Sequence, residues 1–346
     1  MKSIRPFVKK YATALRVLLA FSLFGILFYF YGEEARDLIA EADLRYVVIA
    51  FVVGLVDRVL MAYKWNILLR AKQIGISLWE STTTYLAASF LGLFLPATVG
   101  GDALRSYAVS KEGYPLSDVL STVVVERLLG IVALILFGMG AIVLSVVTLQ
   151  EQFFDDIWIA FWLMAALLIV MVGVMMMAMT NWFANLFSAA MERLSQAKYG
   201  AKVADILSDL YKAYASFRHN RGALAAFLGL SMLENCFPIL WTYLMALALN
   251  IPVPTLYFFI LVPIALIVHR LPLPTPDGWG FAELPYIGML SLIGIPAAQG
   301  FLLGVATHLL TVAIILPGGI FYLTSGLRAR EKELARGVAL KDGLSV

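Results

Sequence analysis

Six apolar segments, each about 20 residues or longer, constrain this chain more than any other feature of its sequence. They cover residues 11–31, 45–69, 116–148, 157–179, 222–249 and 297–324. A segment of this length can cross the hydrocarbon core of a bilayer as an α-helix, whereas the strands of an outer-membrane barrel alternate in polarity over about ten residues. The sequence therefore predicts an all-α polytopic membrane protein with about six full crossings.

The composition agrees with that fold class. Of the 346 residues, 61% are hydrophobic and 14% are charged, whereas a soluble domain is about 45–50% apolar and about 25% charged. The net charge of +3 is too small to indicate a nucleic-acid partner. The single cysteine, Cys236, excludes an intrachain disulfide framework or a cysteine-based metal site. We expect no metal and no cofactor.

Two shorter apolar segments, 78–95 and 256–271, each run into a Pro/Gly-rich stretch. We interpret them first as re-entrant half-helices and second as full crossings. Lys/Arg residues in the first ten positions and after residue 324, together with acidic loops at 32–44 and 151–156, place both termini inside. This alternation fits six crossings only if each short segment returns to the side from which it entered.

The two short segments begin an internal repeat. Residues 94–105 read FLPATVGGDALR and residues 272–283 read PLPTPDGWGFAE. In each copy a Gly-x-Pro turn, at Gly113 or Gly294, is followed 14 residues later by Arg127 or His308. The matched order and spacing indicate a duplication. If the hairpins enter from opposite sides, the repeat is inverted, a recurrent plan in transporters that predicts a wet polar cavity.

We therefore predict one transmembrane domain over residues 1–346. Its predicted parts are two helices in 1–77, repeat one in 78–149, two helices and a cytoplasmic amphipathic helix (around 199–218) in 150–253, repeat two in 254–324 and a cytoplasmic tail in 325–346. The amphipathic helix follows from apolar residues at helical spacing, including Tyr211, Tyr214 and Phe217. It either lies at the membrane interface or packs on the protein itself.

Twelve charged or titratable side chains lie at or near membrane depth, where an isolated charge costs about 2.5–3.5 kcal/mol. They must face one another or water. Those near the repeats are Asp102, Arg105, Glu126, Arg127, His269, Arg270, Asp277, Glu283 and His308. Asp57 and Arg58 are explained equally well by a buried ion pair that sets helix register. Glu234, with no basic residue within one helical turn, either pairs with a distant arginine or carries a proton.

Glycine-rich breaks lie beside these charges, at Gly100 and Gly101 and again at Gly278 and Gly280. Glycine lets the chain turn sharply and exposes backbone N–H groups, and the helix after each break directs partial positive charge toward it. With three arginines nearby, the site suits an anion such as a lipid phosphate. The carboxylates would pair with the arginines or meet a cationic headgroup. The bland alternative is that such glycines serve only close helix packing.

The sequence has no known catalytic signature. It lacks a P-loop, an HExxH motif and a Gly-x-Ser-x-Gly motif, and it has no polar segment long enough for a nucleotide or acyl-donor domain. We therefore expect that the chain is not an enzyme. An intramembrane transferase with Asp102 or Glu283 as the base is the weakest alternative.

Three motifs together point to a known family. They are Pro96-x-x-x-Gly-Gly-Asp102-x-x-Arg105, then Val-Val-Glu126-Arg127-Leu, then Pro-x-Pro-Asp-Gly-x-Gly-x-x-Glu283. This combination resembles the transmembrane region of lysylphosphatidylglycerol synthases, a flippase-like family of integral membrane proteins, over most of the chain. The family usually has Glu in place of Asp102, and we expect this chain to be a stand-alone member without the soluble synthase domain.

The resemblance implies a stand-alone lipid flippase or transporter of the bacterial inner (cytoplasmic) membrane. Its cargo would be an anionic, aminoacylated or polyprenyl-linked lipid headgroup, bound by the charged residues and glycines of the two breaks, with Asp57, Arg58, Glu234 and His269 as a possible supporting network. The alternative is a membrane accessory or scaffold subunit of an envelope-lipid or glycan pathway, whose partners would be the enzymes of that pathway.

Overall fold

The computed structural model describes residues 21–23, 25–32, 38–93, 99–149, 154–178, 180–196, 200–270 and 275–324. The first part of the predicted span 11–31 and the predicted tail lie outside these residues, whereas 21–23 and 25–32 are helical. From residue 44 onward the described residues form thirteen α-helices and no strand. These are α1 Leu44–Ala71, α2 Leu78–Gly92, α3 Val99–Ser110, α4 Leu116–Leu149, α5 Phe154–Ala178, α6 Asn181–Ser195, α7 Gly200–Ala215, α8 Arg221–Glu234, α9 Cys236–Ala248, α10 Phe258–Arg270, α11 Leu284–Leu292, α12 Ala297–Ile315 and α13 Pro317–Thr324.

Four stretches of helix in the described part of the chain are long and apolar enough to cross a membrane: Leu44–Ala71, Leu116–Leu144, Arg221–Ala248 and Ala297–Thr324. Shorter apolar helices occupy Phe21–Gly32, Phe161–Met177 and Thr255–His269. The all-α membrane fold predicted from the sequence is thereby confirmed. The total of six crossings and the re-entrant path of the two short segments stay predictions.

One of the four spans is interrupted at its midpoint. Helix α8 ends at Glu234 and α9 begins at Cys236, with Asn235 between them in a turn. Pro238, in the first turn of α9, has no N–H to donate to the carbonyl of Glu234. The missing hydrogen bond explains why the helix breaks here rather than elsewhere.

The chain divides into two compact units. Unit 1 comprises Met1–Arg58, Leu86–Gly101 and Cys236–Ser325, and unit 2 comprises Val59–Tyr85, Asp102–Asn235 and Gly326–Val346. The helix at Leu44–Ala71 and the span Arg221–Ala248 are both divided at their middle, so each unit contains the first half of one and the second half of the other.

In unit 2, α4 packs against α5, α7 and α8. A buried cluster joins the second half of α1 to α4 and α8 through Leu68, Val125 and Phe227. The same cluster contains Tyr214 and Phe217, so the apolar side of the predicted amphipathic helix packs on the protein itself near its end. Burial raises the pKa of Tyr214. Its partner helix α6, which stacks Phe187 on Tyr211 at 4.6 Å, was not predicted.

In unit 1, α12 packs against α9, α11 and α13. Glycines on α12 and α13 allow other helices to approach their backbones closely. A Cβ atom on Gly300 would lie 2.7 Å from the carbonyl oxygen of Tyr286, and one on Gly318 of α13 would lie 2.1 Å from the carbonyl oxygen of Leu86. These contacts hold α11 and the second half of α2 against the Ala297–Thr324 span.

The two copies of the repeat have the same order of elements. Each begins with a span whose C-terminus is closed by a left-handed residue, Gln73 (φ 59°) or Asn250 (φ 54°), and by a 6→1 hydrogen bond of the Schellman type. The span is followed by a short apolar helix and then by a shorter helix. After the shorter helix comes a glycine with positive φ, Gly113 (φ 98°) or Gly294 (φ 79°). A long helix ends each copy. The matching order of elements extends one helix further toward the N-terminus than the predicted repeat, and the duplication itself stays a prediction. Its inverted orientation stays a prediction.

Adding one methyl group at the α13 contact tests this packing. We expect Gly318→Ala to lower the free energy of unfolding by about 1–3 kcal/mol, because the new Cβ overlaps backbone that a rotamer change cannot move. SDS titration of the detergent-solubilised protein, followed by tryptophan fluorescence, measures the change. Gly288→Ala, where nothing lies within 4 Å, is the matched control. Equal stabilities of the two variants would contradict the contact.

Candidate functional site

Four charged side chains of unit 2 form one connected cluster, here called the arginine cluster: Asp102 and Arg105 on α3, and Glu126 and Arg127 on α4. Arg105 donates from Nε and Nη2 to Asp102 Oδ1 at 3.1 and 2.9 Å, and its Nη1 lies 2.8 Å from Glu126 Oε2. Arg127 donates from Nε and Nη2 to Asp102 Oδ2 at 3.0 and 2.8 Å. Asp102 therefore bridges the two guanidinium groups.

The two arginines differ sharply in exposure. The side chain of Arg105 is 2% exposed, and its guanidinium lies 4.8 Å from the ring centre of Trp65 and 4.7 Å from that of Tyr85. The Tyr85 hydroxyl also donates to Glu126 Oε1 at 3.0 Å. The side chain of Arg127, by contrast, is 49% exposed. The side chain of Arg105 is thus buried, and that of Arg127 is half-exposed.

Glycine serves the two breaks in different ways. Gly101 lies inside the first turn of α3, after Gly100, where an added Cβ would lie 2.5 Å from the carbonyl oxygen of Ala88. The sharp turn predicted for this pair is therefore wrong, because both residues are helical and close approach to α2 explains Gly101. The second break does turn sharply, since Gly278 and Gly280 have φ values of 77° and 86°.

Three titratable side chains of unit 1 form a second connected cluster, here called the histidine triad. His308 of α12 has Nδ1 at 2.9 Å from Glu283 Oε1 and Nε2 at 3.1 Å from Asp277 Oδ2. The second oxygen of Glu283 accepts a hydrogen bond from the backbone N–H of Gly280 at 2.8 Å. The indole of Trp279 stacks on the imidazole, with ring centres 4.0 Å apart and planes 13° apart.

The arginine cluster and the histidine triad are built on equivalent positions of the repeat. Asp102 pairs with Arg127, and Glu283 pairs with His308, in each case across 25 residues. The positions of Arg105 and Glu126 are occupied in the second copy by the buried Tyr286 and Thr307, whose hydroxyls lie beside each other. At these corresponding positions the second copy therefore has one acid–base pair, and uncharged groups in place of the second ion pair.

A third ionic contact joins Glu234 to Lys64, within unit 2. Lys64 also donates to Ser231 Oγ at 2.9 Å and lies 4.8 Å from the ring centre of Phe227. The predicted distant partner of Glu234 is thus a lysine rather than an arginine. Lys64 was missed by the sequence reasoning, although a lysine between apolar residues within the predicted span 45–69 was a usable signal.

The remaining predicted site residues are placed as follows. Asp57 and Arg58 form an ion pair at 3.2 Å in unit 1. Because the two residues are neighbours on one helix, this contact does not by itself set helix register, and that interpretation stays a prediction. His269 has its Nε2 atom 3.9 Å from Asp277 Oδ1, beside the histidine triad. The side chain of Arg270 lies outside the described residues. Within the described part of the chain, no group of three or more His, Cys, Asp or Glu side chains is arranged to hold a metal ion.

Comparison with known proteins agrees with the resemblance found in the sequence. The family model for the lysylphosphatidylglycerol synthase TM region matches residues 14–319. UPF0104 membrane protein MJ1595 of Methanocaldococcus jannaschii is 23% identical over 335 residues, which cover 94% of this chain and 97% of that relative. UPF0104 membrane protein PH1989 of Pyrococcus horikoshii is 27% identical over 138 residues, which cover 39% of this chain and 40% of the relative.

Proposed function

Because the chain belongs to the lysylphosphatidylglycerol synthase TM region family, we propose that it is a flippase or transporter for lipid headgroups. Its cargo is an anionic, aminoacylated or polyprenyl-linked lipid, and its location is the inner membrane of a bacterium. The family membership supports a role in lipid handling. The choice of transport over another role rests on the geometry of the arginine cluster.

The observation that carries the proposal is the contrast between Arg105 and Arg127. The guanidinium of Arg105 contacts two partly buried carboxylates and two aromatic rings, whereas the side chain of Arg127 is half-exposed and, among the described residues, donates to Asp102 from Nε and Nη2. A guanidinium offers five donors in a planar fork that matches a phosphate. Arg127 is therefore oriented in advance and still accessible. A group that binds a phosphate transiently needs both properties.

The neighbouring carboxylate makes the site suitable for a zwitterionic headgroup as well. Asp102 keeps its ion pair with the buried Arg105 when a phosphate takes Arg127, so the carboxylate does not become an isolated charge. The ammonium of an aminoacyl group would then meet Asp102 beside the bound phosphate. An anionic lipid and an aminoacylated one can thus share this cluster.

Reconstitution tests the proposal directly. Purified protein is placed in liposomes that contain a trace of a headgroup-labelled lipid, and dithionite added outside reports the rate at which the inner leaflet becomes accessible. Phosphatidylglycerol, lysylphosphatidylglycerol and a polyprenyl phosphate represent the three cargo classes. We expect the protein to move at least one of these lipids between the leaflets faster than it moves in protein-free liposomes. If folded protein accelerates none of them, the proposal is wrong, and an accessory role in an envelope pathway replaces it.

Removing the accessible cation should slow this movement without unfolding the protein. We expect Arg127→Ala to lower the rate of the transported lipid about tenfold or more, because a hydrogen bond to a charged group contributes about 1.5–3 kcal/mol. Arg127→Lys, which keeps the charge but loses the fork, should be intermediate. Arg193→Ala on the exposed side of α6 is the control. Equal rates for all three variants would contradict a headgroup site at Arg127.

A further inference from the structure

The hydrogen bonds of the histidine triad require one additional proton. Both ring nitrogens of His308 lie within hydrogen-bonding distance of a carboxylate oxygen, and neutral imidazole has one donor and one acceptor. Two hydrogen bonds to carboxylates therefore need either an imidazolium or one protonated carboxyl group. In either arrangement the triad carries one proton more than neutral histidine and two carboxylates would.

The exposed fraction increases along a series of titratable side chains that begins at Glu283 and ends at His269. The exposed fractions of the side chains are 0% for Glu283, 5% for His308, 21% for Asp277 and 41% for His269. Consecutive groups along this series are separated by 2.9, 3.1 and 3.9 Å. Chains of acidic residues and histidines inside membrane proteins are typical proton relays.

The equivalent positions of the other repeat copy contain no cation that can lose its proton. There the pair consists of Asp102 and Arg127, and arginine does not lose its proton in proteins. The duplication therefore produced one copy with a permanent cation and one with a titratable cation. Other groups that face His308 are His269 on α10, with ring centres 5.8 Å apart, and the uncharged Tyr286 on α11, which neighbours Glu283.

Building on the proposed lipid transport, we propose that the histidine triad is a proton-binding site that couples proton movement to lipid movement. In the release step the N–H bond at His308 Nε2 breaks and an O–H bond forms at Asp277 Oδ2. The O–H bond at Oδ2 then breaks as Asp277 gives the proton to water, on the side where His269 Nε2 lies 3.9 Å from Oδ1. Nε2 and Oδ2 are left as two acceptors facing each other at 3.1 Å. They must separate, so proton release moves the Asp277 segment relative to α12.

A fluorescence titration tests the proton site without any transport. Trp279 stacks on His308, and an imidazolium quenches an excited indole more strongly than neutral imidazole does. We expect emission of the detergent-solubilised protein to rise with pH, and the step to be absent from Trp279→Phe and from His308→Arg. His308→Arg introduces the residue of the first copy, so it keeps a cation beside Glu283 if His308→Gln fails to fold. A pH-independent Trp279 signal would overturn the site.

A pH gradient across the liposomes tests the coupling. One proton exchanged per lipid shifts the final ratio of labelled lipid between leaflets about tenfold per pH unit, since one unit corresponds to 1.36 kcal/mol. We expect that shift in the wild type and its loss in His308→Arg, measured as the final lipid ratio, which does not depend on how fast the variant moves lipid. Movement that ignores the gradient in the wild type would overturn the coupling while the transport proposal stands. Absence of any movement would overturn both transport and coupling, and the fluorescence step would still decide the proton site.

Discussion

Replacing Arg105 by alanine is expected to lower the free energy of unfolding by about 3–5 kcal/mol, the largest single effect in the arginine cluster. The substitution leaves Glu126 Oε2 without its cation and removes the contacts of the guanidinium with the rings of Trp65 and Tyr85. Breaking one partner of a buried pair is costly because the other charge stays buried. SDS titration in detergent, with the folded state read by tryptophan fluorescence, measures the loss.

A second variant separates the lost ion pair from the lost side-chain volume. Arg105→Tyr combined with Glu126→Thr introduces the two residues that occupy the equivalent positions of the other copy, Tyr286 and Thr307. We expect this double variant to be clearly more stable than Arg105→Ala, because no unpaired charge remains and Asp102 keeps Arg127. If the double variant is as unstable as Arg105→Ala, burial of an unpaired carboxylate is not the cause of the loss.

Removing one partner of the Lys64–Glu234 pair should also destabilise the fold, at a position away from the proposed lipid site. We expect Lys64→Met to cost about 3–5 kcal/mol, because the Glu234 carboxylate then remains in a largely buried position without a cation. Lys64→Met combined with Glu234→Met should recover most of that loss, since an apolar pair of similar volume often replaces a buried ion pair at little cost. The same SDS titration applies.

A double-mutant cycle on Lys64 and Glu234 measures the coupling energy between the two side chains. The coupling energy should be favourable and large compared with the 0.2–1 kcal/mol typical of exposed pairs. A coupling energy within that exposed range would show that the two side chains do not depend on each other. Lys72 and Asp118, whose side chains lie 3.4 Å apart with the aspartate well exposed, provide the matched control pair.

The fold class followed from the sequence because hydropathy is a sum over neighbouring residues. The predicted spans 45–69, 116–148, 222–249 and 297–324 therefore correspond closely to helices that are long enough to cross a membrane. The predicted repeat was based in part on two Gly-x-Pro turns, and the glycines of both turns, Gly113 and Gly294, have positive φ values that few other residues adopt. Helix α6 was missed because its sequence lies between a predicted span and a charged stretch and carries no span-length apolar run.

The partners of the charges could not be found in the same way. Glu234 and Lys64 are 170 positions apart, and the equivalence of Asp102 with Glu283 became informative only when each was found bonded to the base 25 residues later. Spacing along a helix determines which side a residue occupies, and does not determine which distant helix meets that side. The role of Gly101 was mistaken for the same reason, because its contact is with the backbone of another helix.

The sequence by itself determined that this chain is an α-helical membrane protein of the lysylphosphatidylglycerol synthase TM region family, and that nine of its charged or titratable side chains lie near two breaks. Both are properties of local composition and order. Only the tertiary structure decided that Arg105 is buried and Arg127 accessible, and that the second copy carries a histidine between two carboxylates. Exposure and ion pairing depend on which helices pack together, and that packing is set by long-range side-chain contacts.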